Sequence, residues 1–365
     1  VIIDVHCHYT FTRRTLNDAE RFRFEPLEEH GRRAVDSFIS PRIIRTLTWR
    51  LMRRVMGFDA RLEPGEAFDR VLDAFYEKHL CAESPIDRHV LLAFDSYHDR
   101  EGRRPPAPER RRDRGSDIYS SNTLVRAACR ARPDRFLFGA SVHPYRENAL
   151  ECVEQVFAAG ACLLKWLPLH QNIAANDPRT IAVLRRCAEL GLPVLAHYGE
   201  EFTLTTQHRE YVSVLRLLDT LRALRADDAM PITIIAHVAT PCTPMGSSAS
   251  YRALCEALLG EFADEPLYAD ISALTAWGKV KWLRRIAKRQ ELHGKLLFGT
   301  DFPVPLGLRR LRGSLRNAYA DIASQPTWPG QALAACQAIG VNEIVFHRAA
   351  TLLPNVDAFT PVATT

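Results

Sequence analysis

Val1-Ile2-Ile3-Asp4-Val5-His6-Cys7-His8 is the stretch whose reading decides the fold. A β-branched apolar run leads straight into a histidine, a spacer and a second histidine, the pattern of a buried strand with a polar end. Side chains two apart on a strand point the same way, so His6 and His8 project together from its C-terminal end. Two imidazoles on one face can hold one divalent ion. Cys7 lies on the opposite face, where a small buried apolar residue is expected. The chain begins at Val1 without an initiator methionine, so residues ahead of it are to be expected.

Working outward, residues 10–88 separate this strand from the next and are too many for a simple connection. They carry helical patterns at Ile43 to Met56 and Glu66 to His79, so the segment reads as a helical insertion that caps a site. The mixture of Arg with Ile, Leu, Trp and Met over Arg42 to Arg54 suits an amphipathic helix packed on its own domain or on another copy, rather than on a membrane surface. Further strands follow at His89 to Asp95, Phe136 to Pro144, Cys162 to Pro168, Pro193 to His197, Ile232 to His237, Leu267 to Ser272 and Leu296 to Asp301. Most are trailed by a helical pattern; Asp177-Pro178 opens one such helix and Gly191 stops it. The Arg- and Pro-rich Asp99 to Gly115 reads as a solvated, mobile surface loop, and residues 356–365 as a loose tail.

Eight short apolar strands alternating with helices predict an α/β fold, a (β/α)8 TIM barrel with a helical insertion after the first strand, as one domain over residues 1–355. An open doubly wound sheet is disfavoured, because no glycine-rich phosphate loop follows the first strand. With 365 residues, 47% hydrophobic and 25% charged, the chain is well able to bury a core. Its net charge of +5 is too small to demand a polyanionic partner. Nine scattered cysteines without a CxxC pair suit reduced thiols in the cytoplasm. No stretch resembles a membrane span or a signal peptide.

The strand ends carry the chemistry. The first strand ends in His6 and His8, the fourth carries Lys165, the fifth ends in His197, the sixth in His237 and the eighth in Asp301. In a barrel all these ends open into one mouth. Imidazoles with one carboxylate and no convergent thiolate suit Zn²⁺, or another first-row divalent ion. Asp301 is then both a ligand and the acceptor of a water proton, and His237 polarises a carbonyl or shuttles a proton. Lys165 has two readings: a cation for a substrate carboxylate beside one ion, or a carboxylated lysine bridging two ions roughly 3.5–4 Å apart. Tyr9, Tyr97, His98, His143, His170, Tyr198, Glu200 and Glu201 follow strand ends and are weaker candidates for the pocket wall.

Asp4-Val-His6-Cys-His8, Leu-Lys165-Trp-Leu-Pro, Leu-Ala-His197-Tyr-Gly, Ile-Ile-Ala-His237 and Phe-Gly-Thr-Asp301-Phe-Pro together resemble the amidohydrolase superfamily, in its amidohydrolase-related (amidohydrolase 2) branch. The resemblance covers nearly the whole chain in strand order, apart from residues 10–88. It implies that His6, His8, His197 and Asp301 hold the first metal, with His237 a second-metal ligand or a catalytic group. It implies a metal-dependent hydrolase of an ester, lactone or amide in a small carboxylate-type substrate, or a nonoxidative decarboxylase of an aromatic or unsaturated acid. A small-molecule substrate is expected, no nucleic acid and no membrane, with a homo-oligomer left open.

Overall fold

A computed structural model describes residues 1–16, 20–29, 31–243 and 245–360. Eight parallel strands lie side by side in chain order: β1 (Ile3–His8), β2 (Arg88–Leu92), β3 (Phe136–Ala140), β4 (Ala161–Trp166), β5 (Val194–Ala196), β6 (Thr233–Ile235), β7 (Leu267–Asp270) and β8 (Leu296–Leu297). The residues after β8 return to β1: Val5 N donates to Phe298 O at 3.1 Å, Asp301 N to His6 O at 2.8 Å, and His8 N to Phe302 O at 2.7 Å. These bonds join the two edges, and the expected barrel results.

Alternation along each strand divides the core in two. Val5, Val90, Leu92, Leu137, Leu163, Leu195, Ile234 and Leu297 fill the barrel interior. Leu91, Phe138, Leu164, Val194, Ile235 and Leu296 face outward into the layer packed under the helices. Gly299 marks a close approach: a Cβ there would sit 3.0 Å from both His6 Cβ and Ser272 Cβ. Glycine spares the chain after β8 this crowding where it passes between the ends of β1 and β7.

The insertion differs from its expectation. Its first third is extended: Arg13–Arg14, Ser37–Ile39 and Ile118–Ser120 form a three-stranded antiparallel sheet, and Glu28–Glu29 pairs with Arg32–Arg33. Ile118–Ser120 comes from the far side of β2, so the pairing joins segments about eighty residues apart, beyond what a local pattern shows. The helices come afterwards: Pro41–Ile44, α1 (Leu47–Val55) and α2 (Glu66–Tyr76), which runs into a wide turn at Glu77–Cys81. Trp49 on α1 is buried and stacks on Phe68 of α2, ring centroids 5.8 Å apart. Leu47, Leu51 and Val55, each one turn apart, stay exposed on the outer face of α1.

Outside the insertion, α3 (Asn122–Ala131), α4 (Ala149–Ala158), α5 (Pro178–Leu190), α6 (Leu215–Ala226), α7 (Ala249–Leu259) and α8 (Val280–Ala287) pack around the barrel. The α5 signals hold as read: Asp177 accepts from Arg179 N, Pro178 starts the helix, and Gly191 ends it in the left-handed region at φ 63°. No helix among the described residues is long and apolar enough to cross a membrane.

Two segments expected to be loose are tied down. The loop over residues 99–115 stays largely exposed, as expected, but is anchored where Arg42 reaches Asp113 O and where Gly115 N donates to Gln207 Oε1 at 3.1 Å. Past Pro354, Asn355 Nδ2 donates to Phe157 O and Ala161 O at 3.2 and 3.0 Å, and Arg88 reaches Val356 O and Asp357. The remainder of the expected tail, residues 361–365, lies outside the described residues.

Candidate functional site

The barrel mouth gathers the strand-end groups. His8 Nε2 lies 3.1 Å and His6 Nε2 3.3 Å from the same oxygen, Asp301 Oδ1. His237 Nε2 is 3.9 Å from Asp301 Oδ2. The ring centroids of His6 and His237, and of His197 and His237, are each 5.0 Å apart. Lys165 Nζ is 3.0 Å from His6 Nε2. All six side chains expected at the mouth therefore lie together, brought there from strands one, four, five, six and eight. His6, His8 and Asp301 place one ligand atom each within 4.8 Å of the others, and so do His6, His237 and Asp270.

Hydrogen bonds orient the imidazoles. A carboxylate or carbonyl oxygen can only accept, so the ring nitrogen facing it carries the proton. His6 Nδ1 faces Asp270 Oδ2 at 2.9 Å, and His237 Nδ1 faces the carbonyl oxygen of Ser272 at 2.9 Å. Each ring thus turns an Nε2 lone pair toward Asp301. His197 Nε2 is buried and has no hydrogen-bond partner. A buried orphan of this kind costs about 1–3 kcal/mol, and a metal ion would satisfy it. The donor set therefore fits a divalent ion.

Electrostatics agree with that donor set. Burial drives the His6 and His237 imidazoles well below their ordinary range and brings His197 down to about 4, so all three are neutral near pH 7. Burial lowers Lys165 to about 8 against the pull of Asp270, Asp301 and Glu201. Burial also raises Asp301, which makes its carboxylate a better proton acceptor, although His8 opposes the shift.

Backbone strain concentrates here. His237, Val238 and Ala239 are three successive non-glycine residues in the left-handed region, at φ 53°, 51° and 49°, and Asp301 has φ 62°. Such residues cost about 1–3 kcal/mol each and need support from their surroundings. Asp270 Oδ1 accepts from His237 N at 2.8 Å, and Thr240 bonds His237 O through both N and Oγ1. The turn throws His237 back over the mouth, where a strand that ran on would carry it away.

Asp270 and Ser272, at the end of β7, are the residues that motif reading missed. Asp270 accepts hydrogen bonds from His6 Nδ1–H and the His237 amide, and Ser272 Oγ–H donates to Asp270 beside both rings. The available signal was a carboxylate at a strand end, Leu267-Tyr-Ala-Asp270-Ile-Ser272, the same signal that marked Asp301.

Of the weaker candidates, Glu201 is at the site. It lies 3.6 Å from His197 Nε2 and lines the pocket. Burial would raise its carboxyl, but nearby His197 and the hydrogen bonds from Thr203 N and Oγ1 hold it below its ordinary value. Glu200 turns away and accepts from Cys242 N and Ser247 N. Tyr9, Tyr97, His98, His143, His170 and Tyr198 are not among the lining residues. His143 and Arg146 surround Asp95, and His170 braces Asp117 N. Cys7 is buried on the far face, as expected, 3.0 Å from Asp4 Oδ2.

Above the floor the pocket rises into the insertion, where Ile43, Trp49, Met52, Met56, Phe58 and Phe68 wall it. Arg53 is also in that wall, but its Nη2 is occupied by the carbonyls of Asp59 and Leu62, each at 2.6 Å.

The family model described as Amidohydrolase matches residues 100–316, more than half of the chain. No curated protein sequence matches it. Among solved structures, an uncharacterized TIM-barrel protein from Bordetella bronchiseptica superposes with a TM-score of 0.53 at 15% identity, covering 96% of each chain. A candidate 2-pyrone-4,6-dicarboxylic acid hydrolase from Pseudomonas putida gives 0.50 at 13% identity, covering 99% of this chain and 98% of its own. The 2,6-dihydroxybenzoate decarboxylase from Rhizobium gives 0.47 at 14% identity, over 96% and 98%. With the barrel observed and the match spanning β3 to β8, this chain belongs to the Amidohydrolase family.

Proposed function

We propose that the chain is a metal-dependent hydrolase acting on an ester, lactone or amide carbonyl. The observation that carries this reading is the convergence of His6 Nε2, His8 Nε2 and Asp301 Oδ1 beside His197 Nε2, which is buried without a hydrogen bond. These four residues would hold a divalent ion, Zn²⁺ by the chemistry of the donors. When bound, that ion supplies an acidified water and a Lewis acid for a carbonyl oxygen.

The protein's own groups supply the rest. Asp301, whose Oδ1 lies 3.1 Å from His8 Nε2 at the mouth, accepts the proton released when water attacks. His237 holds its Nδ1 proton on Ser272 O, so its Nε2 serves as a ligand or a proton acceptor. This favours the proton-shuttle role over polarising a carbonyl, which requires a donor. Lys165 is the donor placed to steady negative charge on the carbonyl oxygen. A carboxylated Lys165 bridging two ions is the competing form, and an added mass of carbon dioxide on this lysine decides for it.

The alternative reaction is nonoxidative decarboxylation, and fold likeness at these identities does not choose between the two. The test has two parts. Elemental analysis of purified protein is expected to give at least one divalent ion per chain, lost in Asp301→Ala and His8→Ala. A panel of esters, lactones and amides is expected to be hydrolysed. Carbon dioxide release from carboxylic acids, with the panel untouched, would replace hydrolysis with decarboxylation.

A further inference from the structure

The pocket is polar at one end only. Its floor carries His8, Lys165, His197, Glu201, His237 and Asp301. Its walls come mostly from the insertion and are aromatic or aliphatic. Tyr76 adds a ring, but its hydroxyl is already bonded to Thr10 N and O. Arg53 is the one charged residue lining the walls above the floor; its Nη2 is held by two carbonyls, its Nε is buried without a partner, and its Cζ lies 5.0 Å from the Phe68 centroid. A second carboxylate on a substrate would meet mostly Trp49, Met52 and Phe58, and Arg53 Nη2 already holds two carbonyls, so the carboxylate's lost hydration would be only partly replaced. The cavity volume, about 130 Å³, is close to the roughly 150 Å³ that accommodates one benzene ring in an apolar cavity.

We infer that the substrate is single-headed: one reacting carbonyl at the metal floor, joined to an uncharged apolar body the size of a benzene ring or a short alkyl chain. This narrows the carboxylate-type substrate expected from sequence, because among the residues lining the pocket Lys165, on the floor, is the cation not held by backbone carbonyls. The inference rests on the metal-hydrolase reading for the position of the head, and on the insertion's walls for the nature of the body.

The experiment is calorimetric titration of the zinc-loaded protein with straight-chain alkyl hydroxamates from two to six carbons, and with succinate as a dicarboxylate probe. Affinity is expected to rise roughly three- to fourfold per methylene, ~100-fold across the series. Succinate is expected to bind no better than acetohydroxamate. Met52→Glu is expected to flatten the chain-length dependence. A flat series in the wild-type protein, or tighter binding of succinate, overturns the apolar-body inference whether or not the variant folds. Repeating the series after chelation separates the two readings. A slope that persists while overall affinity ignores zinc removes the metal reading and keeps the pocket assignment. A flat series that still depends on zinc does the reverse.

Discussion

His6 Nδ1 donates to Asp270 Oδ2 at 2.9 Å, and both side chains are fully buried. The bond fixes which nitrogen of His6 carries hydrogen, and so leaves the Nε2 lone pair turned to Asp301. A carboxylate behind a ligating imidazole also raises its basicity, and removing such a partner costs about 10- to 100-fold in metal affinity. Asp270→Asn is therefore expected to weaken zinc binding by that factor without removing a direct ligand. Competition against a chromogenic chelator measures it; an unchanged dissociation constant would show that Asp270 does not orient the ligand set.

Below the mouth, Asp4 ties β1 to the chain after β8. It accepts from His6 N, Thr300 N, Thr300 Oγ1 and Cys7 Sγ, and lies 3.2 Å from His89 Nδ1. All of these residues are buried. Removing the shared acceptor strands several buried donors at once, at about 1–3 kcal/mol for each one left unpaired. Asp4→Ala is expected to lose more than 3 kcal/mol, near the exceptional end for one substitution. Thr300→Val removes one donor and is expected to cost about 1–2 kcal/mol. Urea unfolding of both variants checks the ranking, and equal losses would mean that the carboxylate is not the hub.

The barrel and the strand-end groups gathered at its mouth were legible because each depends on short-range pattern. Val1 to Val5 is a β-branched run, His6 and His8 share a face by strand geometry, and Asp301 closes the last apolar run. The insertion was half legible. Glu66 to Tyr76 has helical periodicity and is a helix, whereas Arg13–Arg14 and Ser37–Ile39 are strands only because Ile118–Ser120 pairs with them from beyond β2. Such pairing leaves no trace in a local window. The left-handed turn at His237 to Ala239 was hidden for a different reason: alanine and valine carry no preference for that region, and the turn is imposed by Asp270 and Thr240. Asp270 stands out from no other strand-end acid in the sequence, because its partner, His6, is 264 positions away.

A second buried histidine group predicts acid sensitivity. Burial lowers His98 to about 4 and takes His143 well below its ordinary range, though Asp95 opposes both shifts. Their rings lie 4.4 Å apart, so a proton on one also disfavours a proton on the other. The folded-state values lie below the unfolded value of about 6.5, so the unfolded chain binds protons first as pH falls. Stability is complete above pH 6.5 and declines from there toward pH 4, with His98 alone contributing up to about 3 kcal/mol of the loss. Asp95 does not add to this slope. Burial would raise its carboxyl, but Arg146 outweighs that and holds it below its ordinary value, so its contribution fades only in stronger acid. Urea midpoints at pH 7 and pH 4.5 are expected to converge for His98→Asn relative to the wild type. Parallel losses in the two proteins would count against His98.

Asp117 connects the roof of the pocket to its side. Its Oδ1 accepts from Arg42 Nε at 2.7 Å and from Ser40 Oγ at 3.1 Å, just ahead of α1, and its Oδ2 accepts from Thr205 N at 2.7 Å. Thr203 and Leu204, next to that contact, line the pocket, as do Trp49 and Met52 on α1. The Arg42–Asp117 pair is buried on both sides, and breaking such a pair by removing one partner costs about 3–5 kcal/mol, because the other charge is left uncompensated. Asp117→Ala is therefore expected to destabilise the protein by about that amount and to loosen the apolar wall. No atom of Asp117 belongs to the metal-ligand set, so the loss is expected chiefly in KM for the best apolar substrate, with kcat changed less than threefold. Asp117→Asn keeps an acceptor for Thr205 and is expected to recover part of KM. A fall in kcat with KM preserved would mean that the insertion acts on the chemistry of the floor rather than on the hold of the substrate body.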